Sequence, residues 1–102
     1  MKFKEINEAA FLDPFPGITP NKKLSKREIL RALRLSIAAE QEAVHLYESF
    51  ADVIDNKKIK KVMQDVANEE KVHIGEFQGL LNEYDKDEKE LIQKGIDEID
   101  EI

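Results

Sequence analysis

The chain has 102 residues, which is room for one domain and not a second. Its 16 Lys and Arg against 22 Asp and Glu give a net charge of −6, which argues against a general nucleic-acid binder. Cysteine is absent, which excludes disulfides, zinc fingers, thiolate nucleophiles and cysteine-held iron, while the 41% of hydrophobic residues is enough for a core.

Pro14, Pro16, Gly17 and Pro20 mark residues 1–24 as an irregular leader. Phe3, Ile6, Phe11, Leu12, Phe15 and Ile18 suit a segment that docks on its own bundle, a sister subunit or a larger assembly. No long apolar run begins the chain, so neither a signal peptide nor a membrane span is expected, and the default location is the cytoplasm. Ser25 and Glu28 fit a capping box that opens a helix over about 26–54. Asp55-Asn56 breaks the pattern, and Asn56 is placed to cap a second helix over about 57–82. Gly75 and Gly79 share one face of that helix, which fits either a close helix contact or tolerated surface positions. Tyr84-Asp85 is a second break. Asp85 and Glu88 form another capping pair before a short acidic helix over about 87–101, striped by Leu91, Ile92, Ile96 and Ile99. The expectation is an all-α fold: leader 1–24, then a helical domain 25–102.

In the first long helix Leu33, Ile37, Glu40, Val44, Tyr47, Ala51 and Ile54 step by four and three. In the second, Ile59, Met63, Val66, Glu70, His73, Phe77 and Leu80 step identically. This is the apolar seam of antiparallel bundle helices. A first helix of about 29 residues would run roughly 43 Å. A lone hairpin of that length would leave its stripe wet, so a two-fold dimer closing a four-helix bundle is expected.

Three polar residues interrupt the seams: Glu40, Glu70 and His73. Antiparallel pairing about the turn at 55–56 would bring Glu40 and Glu70 to one level, and Glu70 and His73 share a face at i, i+3. A buried carboxylate needs compensation. A bland solution is a Glu–His hydrogen-bonded pair with Glu40 held by a lysine or water. The sharper one is a metal cation. Carboxylates with imidazole suit iron, manganese or zinc. Two glutamates and one histidine are half of a di-iron carboxylate site, and a two-fold axis would supply the other half.

The stretch Ala39-Glu40-Gln41-Glu42-Ala43-Val44-His45-Leu46-Tyr47, with Val66-Ala67-Asn68-Glu69-Glu70-Lys71-Val72-His73, resembles the encapsulated ferritins. It is most similar to the ferritin-like domain that some archaea carry at the N-terminus of an encapsulin shell protein. The likeness covers about residues 25–85. It implies dimers assembled into a larger ring (a decamer is one candidate size), with two irons bound between paired chains. It also implies Fe(II) oxidation and delivery of mineral inside an encapsulin nanocompartment. By resemblance Glu40, Glu70 and His73 match the ferroxidase ligands, with Glu70 bridging. Glu42 matches a further carboxylate associated with incoming iron, and Tyr47 an aromatic residue beside the site. Ala39-Glu40 stands where the family often has two glutamates, and Leu46 where some members have tryptophan. The terminal Asp100-Glu101-Ile102 matches no encapsulin-targeting peptide, so the chain is expected to lead a shell fusion, to be truncated, or to dock through its leader.

Other readings remain open. A rubrerythrin-like di-iron peroxidase would need a partner to replace its cysteine-held electron-transfer iron. A helical scaffold would use the Glu–His cluster only to fix register. Glu42-x-x-His45 lies off the seam and reads first as surface, as do Glu69, Glu76 and the acidic third helix. Together with the net charge they could still concentrate cations.

Overall fold

A computed structural model describes residues 23–102; the leader expected over 1–24 lies outside them apart from Lys23 and Leu24. Three helices follow one another: α1 (Lys26–Val53), α2 (Lys57–Tyr84) and α3 (Lys86–Glu98), the last continued by a 3₁₀ turn (Ile99–Glu101). Among the described residues there is no strand.

Local chemistry fixes each boundary. The Glu28 backbone N–H donates to Ser25 Oγ at 3.2 Å, and the Ser25 N–H donates to Glu28 Oε1 at 2.9 Å, so the capping box is reciprocal. Ile54 is extended and stops α1. Asn56 Oδ1 accepts the Ile59 N–H at 3.0 Å and starts α2. The Lys60 ammonium donates back to the Ala51 carbonyl, tying the turn across its two helices. Asp85 is both the C-cap of α2 and the N-cap of α3.

At that last joint the expected capping pair is only half made. Asp85 Oδ1 accepts the Asp87 N–H at 3.1 Å, but Glu88 turns away from it. Glu88 is 7% exposed, and Arg34 of α1 donates to both its carboxylate oxygens, at 2.5 and 3.5 Å. A guanidinium fork outcompetes a single neutral N–H for a carboxylate. Gln78 adds a third, longer contact at 3.5 Å. A side chain expected to cap its own helix is thus the latch that holds α3 to α1.

α1 and α2 pack extensively against one another, whereas α3 touches the hairpin far less, with Glu88 near its start reaching Arg34 and Gln78. The buried apolar residues among those described are Val44, Ala51, Ala67 and Leu81. This corrects the seam. Ala67 and Leu81 stand one position beyond the expected Val66 and Leu80, and Leu80 is 49% exposed. The hairpin therefore buries only one edge of the heptad stripe, because alanines there let the backbones approach closely. Most of the rest of the stripe is half-buried, and Ile59, His73 and Leu80 are exposed. A Cβ built on Gly75 or Gly79 meets nothing within 4 Å, so no contact among the described residues requires either glycine. The radius of gyration is 17.1 Å, against ~13 Å for a compact globule of 100 residues.

Candidate metal centre

Glu40 projects from the middle of α1, and Glu70 and His73 from adjacent turns of α2. Antiparallel packing brings them together, with one ligand atom of each within 4.8 Å of the others. His73 Nδ1 lies 3.6 Å from Glu40 Oε2 and 3.8 Å from Glu70 Oε2. Both separations are too long for hydrogen bonds. They match the spacing of donors around a shared cation: two ligands each about 2.1 Å from one ion stand roughly 3–4 Å apart.

Glu40 Oε2 is buried and has no hydrogen-bond partner. A buried carboxylate oxygen with no donor is unfavourable, and a cation relieves it where a neutral group would do so only in part. The lysine that could have neutralised the cluster is engaged elsewhere. Lys71, next to Glu70 in sequence, pairs with Glu48 at 2.9 Å. Gln64 donates to the same Glu48 oxygen at 3.2 Å. The Lys71 hydrogen bond first, then that of Gln64, hold the Glu48 carboxyl below the usual carboxylate range. Chemically, then, the donor set fits a hard or borderline divalent cation.

The cluster is not sealed. The side chains of Glu40 and Glu70 are 21% and 19% exposed, but that of His73 is 46% exposed. A seam position was expected to be dry, and in the single chain the histidine edge is open. Glu76, Phe77 and Leu80 line a shallow depression with His73 on the same side.

The other sequence candidates are not drawn into the cluster. Tyr47 is half-buried on α1, and its hydroxyl makes no hydrogen bond among the described residues. Glu42 and His45 are exposed and line an outward depression with Ala39 and Leu46. Glu69 and Glu76 are exposed. Sequence reading missed the Arg34–Glu88 and Lys71–Glu48 pairs. Each joins residues far apart in the chain, and only the register of the packed helices brings them together.

A family model described as Rubrerythrin matches residues 31–99. The ferritin-like–encapsulin shell fusion protein of Pyrococcus furiosus is 38% identical over 85 residues, covering 83% of this chain and 25% of that protein. The encapsulin nanocompartment cargo protein EncC of Myxococcus xanthus is 34% identical over 86 residues, covering 80% of this chain and 65% of that one. The chain thus spans less than two thirds of either relative. The crystal structure of the encapsulated ferritin domain from Pyrococcus furiosus superposes with a TM-score of 0.81 at 37% identity, covering 84% of this chain and 88% of that one.

Proposed function

Since the chain belongs to the Rubrerythrin family of ferritin-like proteins, and within it to the encapsulated ferritins, we propose that it is a ferroxidase whose iron is shared between two copies. The observation that carries this reading is the unpartnered, buried Glu40 Oε2 facing His73 and Glu70. In this reading residues 25–102 form the ferritin-like unit and residues 1–24 a separate leader.

Fe(II) is the substrate. Glu40 and Glu70 supply anionic oxygens, and His73 supplies a neutral nitrogen donor. One chain offers three protein ligands, half of the set that di-iron carboxylate bundles use. The open His73 edge, with Phe77 and Leu80 beside it, is the side on which a second copy completes both the bundle and the site. Each Fe(II) gives up one electron to dioxygen, and hard carboxylate ligands favour the product Fe(III). Tyr47 stands on the same helix as Glu40, where it can orient a water or supply an electron. Glu42 lies outside the cluster and acts on approaching cations, helped by the net charge of −6.

Two relatives are named for encapsulin, one as a shell fusion and one as cargo. We infer the same setting here: dimers joined in a ring, held within an encapsulin shell in the cytoplasm, and passing oxidised iron to it for storage. No helix among the described residues is long and apolar enough to cross a membrane.

The test is an anaerobic Fe(II) titration of the assembled protein, then air with optical detection of Fe(III). One Fe(II) per chain and oxidation faster than buffer are expected. Absence of saturable binding, with oxidation at the buffer rate, would sink the proposal and leave a helical scaffold. The Rubrerythrin match favours one second reading, a peroxidase. Faster oxidation with hydrogen peroxide than with dioxygen at equal concentration would select it.

A further inference from the structure

We propose that the acidic end of α3 docks on the lysine-rich start of α2 in a second copy of the chain, joining copies head to tail. The contact goes beyond the iron chemistry and uses none of Glu40, Glu70 or His73.

Both surfaces are charged against their own helix. The field of a helix favours anions at its N-terminus and cations at its C-terminus. α2 starts with Lys57, Lys58, Lys60 and Lys61 and has no acidic residue in its first turn. Lys60 is used on the Ala51 carbonyl, but Lys57, Lys58 and Lys61 are exposed and form no ion pair among the described residues. Asp52 and Asp65 share a shallow depression with Lys57 and Lys61, yet neither comes within ion-pair distance of them. The end of α3 and its 3₁₀ turn carry Asp97, Glu98, Asp100 and Glu101, with no basic residue in the last turn of either element. Apart from Gln93 donating to Asp97 at 2.8 Å, these side chains make no hydrogen bond or ion pair among the described residues. Each end carries the charge that the other's helix field would welcome.

Apolar surface accompanies the charge on both sides. Leu91, Ile92, Ile96 and Ile99 of α3 and its turn are 41–66% exposed, and Val53, Ile59 and Val62 at the hairpin turn are 44–77% exposed. Large aliphatic side chains rimmed by charge are what an interface buries.

The occupant is a second copy for a reason of length. α2 has 28 residues and runs about 42 Å between the two ends. α3 leaves from its far end and has 13 residues, about 20 Å, so it falls short of the lysines of its own chain. Contact therefore occurs between copies. Whether it repeats around a ring or closes reciprocally between two copies, it adds to the two-fold contact proposed at the iron site and so builds assemblies larger than two chains.

Native mass spectrometry of the full chain tests this with two charge reversals and their combination. One carries Lys57→Glu, Lys58→Glu and Lys61→Glu; the other carries Asp97→Lys, Glu98→Lys, Asp100→Lys and Glu101→Lys. Unmodified protein should form assemblies larger than two chains. Each reversal alone should weaken the contact at least ~100-fold, because like charges then face one another, and the combination should restore it. Circular dichroism checks that each variant is still helical. For the unmodified protein, raising salt to 1 M, where the Debye length falls to about 3 Å, should shrink the assemblies without unfolding them. Unchanged assembly in both reversals, or assembly indifferent to salt, would overturn the proposal. So would reversals that spare self-assembly but weaken binding to an encapsulin shell, which would assign the surface to the shell. Fe(II) stoichiometry in the single reversals reports separately on the iron site.

Discussion

At Glu40 one carboxylate oxygen is buried with no donor among the described residues, with a histidine nitrogen 3.6 Å away and a second carboxylate in the same cluster. Such an arrangement is unfavourable until something positive enters. Glu40→Met should therefore raise the stability of the metal-free protein, by about 1–2 kcal/mol. If Fe(II) binds as proposed, it should raise the Tm of the unmodified protein, and the same change should abolish that rise. Differential scanning calorimetry with and without Fe(II) under anaerobic conditions reads both effects. A destabilised metal-free variant would mean that the carboxylate has a structural partner after all. The three cluster residues were legible in the sequence because each breaks an otherwise apolar stripe. The exposure of His73 was not, because a repeat pattern shows that a position lies at a contact but not whether the contacting helix belongs to the same chain.

The attachment of α3 rests on one fork. Arg34 holds a nearly buried Glu88, and Gln78 adds a longer contact. Arg34→Ala would leave that carboxylate without its cation and should destabilise the docked helix by about 1–3 kcal/mol, less than for a fully buried pair because Arg34 itself is 54% exposed. Amide hydrogen exchange should show α3 losing protection while α1 and α2 keep theirs; equal loss in all three helices would contradict the latch. Helix existence and the caps at Ser25, Asn56 and Asp85 were readable from local spacing, since a cap is a contact of two or three residues. The fork was not, because Arg34 and Glu88 stand 54 positions apart. Nor was the one-residue rotation of the buried stripe onto Ala67 and Leu81, which small side chains decide by letting backbones close in.

The described residues are extended, at 17.1 Å in radius of gyration, and carry exposed aliphatic side chains on all three helices. Such exposed aliphatic surface is what association would bury. If it melts as a dimer, raising protein concentration a hundredfold should add about 2.7 kcal/mol per dimer and lift Tm by several degrees, measured by scanning calorimetry across that range. A Tm independent of concentration would show a self-sufficient monomer. The joint between α2 and α3 bears on every larger assembly. Asp85 is the only residue between the two helices, so one pair of backbone dihedrals sets the direction of α3. With α3 about 20 Å long, a 10° turn there swings its far end by ~3 Å. The molecule is thus a pivot with a lever. If copies of the chain close a ring through α3, inserting or deleting one residue at this extended joint would re-aim its aliphatic stripe, so a change of one codon is enough to alter the number of subunits in the circle.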